Sequence, residues 1–228
     1  MTIPKQDLPK YELILPASNK KITYRPFTVK EEKILLLSIE DDKPEQMVKA
    51  IGQIFDLCTF GVCDINRMIQ VDSEYLYLHI RNKSLGEGLE VNHKCSCGKV
   101  NYLSLNLENI NVVKPEKIDS NIPLRENLVI QLSYPTLEKT IGMSDDTVID
   151  SIAKCVELIM VDDVVYTKDD YSLEKIVDYL ESNLTQLELD KLDSFFKTMP
   201  RIEFRQSYTC KCGKTNEILI EGLDDFLD

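Results

Sequence analysis

The chain has no tryptophan, only two histidines, and eight glycines in 228 residues. Histidine-dependent triads and histidine-rich metal sites therefore have little material. Long apolar runs are missing too. The longest, such as Ile34 to Leu37, are far short of the ~20 residues that cross a bilayer, so no membrane partner is expected. Met1 to Lys10 holds no apolar stretch before its prolines, which predicts no secretory leader and a cytoplasmic protein.

Positive charge is also scarce. Lysine and arginine total 27 against 39 acidic residues, a formal net charge of -12. Lys20-Lys21 and Arg81 to Lys83 are isolated, so no basic stripe is present to hold a phosphate backbone, and nucleic acid is not an expected partner. Acidic loops such as Asp162-Asp163 and Asp169-Asp170 read as solvated surface, or as a charged rim that meets a basic partner. Phosphate-binding patterns fail on glycine. Gly213-Lys214-Thr215 imitates the end of a P-loop, but Tyr208 stands where its first glycine is required; Gly86 and Gly88 begin a dinucleotide pattern that Val91 breaks. No catalytic residues are assigned, and the chain is read as a non-enzyme.

What is present is an ordinary globular composition, 43% hydrophobic and 29% charged. Tyr11 to Leu15 and Ile22 to Tyr24 predict a hairpin turning at Ser18-Asn19. Thr28 and Glu31 form a capping box that opens a helix to about Ile39. Pro44 suits the first turn of a second helix, apolar at Met47, Ile51, Ile54 and Cys58. Asp72 is the expected cap of a third, which stops before Gly86. From Leu89 the period becomes two, predicting a hairpin to Leu107 with Cys95 and Cys97 at its tip. Residues 109–127 read as a connection. A strand over Leu128 to Tyr134, a helix over about Asp145 to Ile159 and a short hairpin around Asp162-Asp163 follow. Helices open at Ser172 and at the capping box Thr185/Glu188, and a last hairpin spans about Ile202 to Ile220. The expected fold class is α+β, helical segments with short strands and two Cys-x-Cys-Gly hairpins. The expected parts are 1–110 and 111–228, each ending in one of those hairpins, together one cooperative unit.

The seven cysteines separate by spacing. Cys58, Cys63 and Cys155 sit in apolar stretches and read as small core residues. The other four form Cys95-Ser96-Cys97-Gly98 and Cys210-Lys211-Cys212-Gly213, and at the same offset of 115 residues Lys99 and Asn101 match Lys214 and Asn216. Thiolates are the preferred ligands of structural zinc, and a Cys-x-Cys turn offers two from one bend. Lysines at 94, 99, 211 and 214 would offset the negative charge of a tetrathiolate. One structural zinc on Cys95, Cys97, Cys210 and Cys212 is therefore expected. Disulfides, unmetallated turns, an iron–sulfur cluster, or His93 in place of one thiolate stand as alternatives.

The run Tyr24-Arg25-Pro26-Phe27-Thr28-Val29-Lys30-Glu31-Glu32-Lys33 resembles the N-terminal signature of the T4-like bacteriophage baseplate hub family, the hub subunit or hub-assembly protein. So does Asp72 to Gly86, with Glu74-Tyr75-Leu76, Arg81 and Lys83-Ser84-Leu85-Gly86. The resemblance implies a part of the tail's central hub or a transient assembly factor. It would work through other tail and baseplate hub proteins, in the host cytoplasm during assembly or in the virion, and no enzymatic residues come with it. Arg25, Phe27, Lys30 and Lys33 are the candidate partner surface, against the plainer reading of a capped helix docked on the core. A zinc-ribbon nucleic-acid binder and a metal-dependent hydrolase are the competing functions; oligomeric state is open.

Overall fold

The computed structural model describes residue 4 and residues 6–40, 43–86, 88–106, 110–115, 119–141 and 146–221. In chain order, β1 (Tyr11–Ile14) and β2 (Lys21–Tyr24) precede α1 (Val29–Glu40), α2 (Pro44–Cys58) and α3 (Gln70–Leu85). Then come β3 (Gly88–Lys94), β4 (Val100–Asn106), β5 (Asn111–Val113), β6 (Asn121–Arg125) and β7 (Leu128–Leu132). α4 (Leu137–Ile141) and α5 (Val148–Cys155) lead into β8 (Val156–Val161) and β9 (Val164–Thr167). The last described elements are α6 (Leu173–Asn183), α7 (Gln186–Lys197), β10 (Arg201–Thr209) and β11 (Thr215–Glu221). The mixture of helix and antiparallel strand is an α+β architecture.

Contacts divide the chain into Met1–Val113 with Pro200–Asp228, and Lys114–Met199. This differs from the expected division near residue 110, because the last segment returns to the first part. β10 pairs with β5, Arg201 opposite Val113 and Glu203 opposite Asn111, so both ends of the inserted segment are held in one sheet. Sequence gives no sign of this, since β5 has only three residues and acquires its partner from far along the chain.

In the first unit the core lies among α2, α3 and the β1–β2 hairpin, where Leu15, Ile22, Ile51, Ile54, Phe55, Leu76, Leu78 and Ile80 are all at most 2% exposed. Gly52 of α2 permits close approach, since a Cβ there would lie 3.0 Å from the Ile65 side chain. The Thr28/Glu31 box forms as expected, with the Thr28 amide donating to Glu31 at 2.6 Å. Arg25 adds a two-pronged ion pair to the same carboxylate, at 2.9 and 2.7 Å. Asp72 is not the cap of α3. The helix begins at Gln70, and the buried Asp72 carboxylate instead accepts the Ala17 and Ser18 amides at 2.8 and 3.0 Å, holding the β1–β2 turn. Its capping chemistry is as read, but the donors it satisfies lie 54–55 residues away.

The second unit is the four-stranded antiparallel sheet β6-β7-β8-β9 with its helices. The helix expected to Ile159 ends at Cys155, and Val156–Val161 becomes β8, paired with β7. The run Val-Glu-Leu-Ile-Met-Val fits either state by apolar spacing, and sheet pairing decides it. The expected connection at 109–127 holds β5 and β6, both too short to announce themselves. The Thr185/Glu188 box opens α7, and Arg125 of β6 clamps Glu188 at 2.7 and 2.8 Å. Leu107 and Asp145, expected element ends, lie outside the described residues.

Candidate metal centre

Alternating strands deliver the four cysteines of interest to two hairpin tips. β3 and β4 pair from Gly88 opposite Asn106 to Lys94 opposite Val100, and β10 and β11 from Glu203 opposite Glu221 to Thr209 opposite Thr215. The loops between them share one geometry. The Cys95 amide donates to Lys99 O at 2.9 Å and the Gly98 amide to Cys95 O at 2.8 Å; the bonds Cys210 to Lys214 and Gly213 to Cys210 have the same lengths. Gly98 and Gly213 sit at φ +87° and +84°, a region that side chains resist, which explains why a glycine follows each Cys-x-Cys. Asn101 and Asn216 each donate an amide proton to the last loop carbonyl, at 3.2 and 3.1 Å.

Both hairpins belong to the first unit, and their sulfurs converge. Cys95 Sγ lies 3.9 Å from Cys212 Sγ, and Cys97 Sγ lies 3.8 Å from Cys210 Sγ. All four lie within 4.8 Å of one another. A tetrahedron with zinc–sulfur bonds of about 2.3 Å has edges of about 3.8 Å, which the two short contacts match, and the four thiols could hold a metal ion. The two short contacts exchange under the offset that superimposes the hairpins, as a local two-fold axis through the cluster requires. His93 and Tyr208, equivalent under that offset, meet each other, with Nδ1 and the hydroxyl 2.7 Å apart and the rings edge-on at 5.5 Å. His93 thus has a partner outside the sulfur cluster. Tyr208 went unassigned in the sequence as a site residue, although its place in the repeat, opposite His93, is the signal that could have found it.

The electrostatics favour a cation. The Cys97 amide, followed by smaller contributions that include Asn216 and the neighbouring thiols, brings the Cys95 thiol down to about 6. The Cys212 amide likewise lowers Cys210. The Lys99 amide pulls Cys97 the same way, but loss of solvent and the Cys212, Cys95 and Cys210 thiols outweigh it and push Cys97 up to about 11. The two inner thiols are pulled toward the thiolate form and the outer Cys97 is pushed away from it, so the four carry negative charge unequally. A divalent cation would offset that charge. Lys94, Lys99, Lys211 and Lys214 are all exposed around the tips, and Lys214 reaches Ser96 Oγ at 3.3 Å. A tetrahedral ion held by all four sulfurs would have no open coordination position.

The other predicted site residues are placed differently. Lys30 and Lys33 are exposed, but Phe27 is 7% exposed and Arg25 is drawn inward by Glu31, its side chain 17% exposed. The Phe27 amide donates to Ser84 Oγ at 2.9 Å, so the segments at 24–33 and 72–86 touch. Of Cys58, Cys63 and Cys155, none is more than 5% exposed; burial raises the Cys58 thiol to about 12 and Cys155 to about 11. Among the described residues no helix is long and apolar enough to cross a membrane.

A family model described as T4 bacteriophage base plate protein matches residues 8–228. No curated protein and no solved structure matches the chain.

Proposed function

The chain belongs to the T4 bacteriophage base plate protein family, and we propose that it serves the baseplate hub, as a component or an assembly factor, through contacts with other tail proteins. In this reading one structural zinc on Cys95, Cys97, Cys210 and Cys212 joins the two hairpins of the first unit, and the protein catalyses nothing. The observation that supports the metal is the sulfur spacing of 3.8–3.9 Å across a local two-fold. The family supports the setting, a phage baseplate and its tail-protein partners. Bound zinc would hold the first hairpin against the returning strands that bracket the inserted unit.

The metal and the assembly role are tested separately. Purified protein should contain about one zinc per chain, and a fully folded, metal-free sample would remove the zinc. For assembly, the tagged chain should co-purify with tail proteins during infection, and Lys30→Glu with Lys33→Glu should weaken that association without unfolding the chain. Absence of every tail protein from the wild-type preparation would remove the hub reading. Normal partners for the double variant would remove only that surface.

A further inference from the structure

The two edges of the second unit's sheet are built differently. β6 carries Pro123, a register shift between Pro123 and Arg125, and the Arg125–Glu188 ion pair to α7. Proline and bulges are devices that keep a sheet edge from recruiting a foreign strand. β9, the opposite edge, has none of them. Its sequence is Val164-Val165-Tyr166-Thr167, all strong strand formers, and every residue is exposed, with Val164 at 53%, Val165 at 48% and Tyr166 at 38%.

The backbone is presented for pairing. β8 and β9 join through the two-residue turn Asp162-Asp163, with Val161 opposite Val164. In such a hairpin the pair flanking the turn exchanges the ladder bonds, so Val165 turns its N–H and C=O to the open edge. Beside the edge lies a groove of 520 Å³ between β8, β9 and α6, lined by Ile159, Tyr166, Tyr171, Ile176 and Tyr179 among others. Ile159 stands opposite Tyr166, so a side chain on a new strand, next to Tyr166 on that face, would enter the groove.

Charge selects the occupant. Exposed Asp162 and Asp163 flank one end of β9, and exposed Asp169 and Asp170 the other. Asp170 caps Thr167 at 2.6 Å, and the intervening Lys168 is committed to Glu157 at 2.5 Å. A second copy of this chain, paired antiparallel, would press these carboxylates against their counterparts. A segment with basic ends would satisfy them.

We propose that β9 is a docking edge that takes an extended segment of another protein as a fifth strand, apolar at alternate positions and basic at both ends. The identity of that protein as a tail component rests on the assembly reading above; the strand chemistry does not. The probes are two short labelled peptides of alternating valine and threonine, one with lysine pairs at its ends and one with glutamate pairs, titrated into the full-length protein. The lysine-ended peptide should bind roughly tenfold tighter or better and slow hydrogen exchange at the Val165 amide. Val165→Pro, which removes the outward donor, should abolish binding. Asp163→Lys with Asp169→Lys should invert the preference for peptide ends, whereas Glu181→Lys, off the edge, should not. If Val165→Pro fails to fold by circular dichroism, the inversion decides. Absence of binding, equal binding of both peptides, or a folded Val165→Pro variant that still binds would overturn the proposal. So would a wild-type dimer that Val165→Pro dissociates, since that makes a second copy the occupant. A chain that ignores the peptides but still captures tail proteins loses this edge and keeps the assembly reading; the converse result keeps the edge and loses the reading.

Discussion

Replacing Cys212 with serine removes one corner of the sulfur cluster and substitutes an oxygen that ionises poorly and binds zinc weakly. The size of the loss follows from what the cluster closes. Cys95 and Cys210 lie 115 residues apart, and in the unfolded chain a cross-link over that span removes entropy equivalent to about 5 kcal/mol. In an opened state that keeps the β5–β10 pairing of Val113 with Arg201, a metal bound there would close only roughly 27 residues of connecting chain, equivalent to about 3.5 kcal/mol. Cys212→Ser should therefore cost between these limits, on the order of 4 kcal/mol, and lower the melting temperature by roughly 10 °C for a chain of this size. The comparison is Cys155→Ala, which removes one fully buried sulfur from the second unit, at about 1 kcal/mol. Calorimetry gives the two losses, and hydrogen exchange should place the Cys212→Ser loss first in residues 88–106 and 201–221. Equal losses for the two variants, or unchanged protection of both hairpins in Cys212→Ser, would refute the metal clamp.

Two further perturbations test local features of the first unit. The Arg25 guanidinium, assisted by Thr28, holds the Glu31 carboxyl at about 2 in the fold, against an ordinary value of 4.5. Because the folded value is depressed, this stabilisation is complete above about 4.5 and is lost as pH falls through about 2, up to about 3 kcal/mol in all. A difference curve of wild type minus Glu31→Gln, from denaturant titrations across that window, should fall with pH; a flat curve would contradict the assignment. Gly98→Ala and Gly213→Ala should each cost about 1–2 kcal/mol, since both positions have positive φ and nothing lies within 4 Å of an added Cβ. Markedly unequal melting shifts would deny the equivalence of the two turns.

The parts legible in the sequence share a short range. The Thr28/Glu31 and Thr185/Glu188 boxes were readable because both partners lie within one helical turn. The cysteine hairpins were readable because period-two alternation brackets a turn residue that only glycine suits. Asp72 shows the limit. Its residue type announced capping, but the amides it satisfies belong to Ala17 and Ser18. Phe27 shows another, since it lies in a segment with Arg25, Lys30, Glu31, Glu32 and Lys33 and yet is itself buried.

By itself the sequence determined the two hairpins, their four thiols and the likeness of their turns, because backbone conformation and strand period are set within a few residues. Only the tertiary structure decided that the sulfurs approach to 3.8–3.9 Å, that His93 meets Tyr208, and that Val156–Val161 is a strand. It also decided that residues 114–199 form an insertion between the two halves of one unit. Those features depend on which distant segments pair. Apolar periodicity shows that a face must be buried but does not name the segment that buries it, so that choice belongs to the packing of the whole chain.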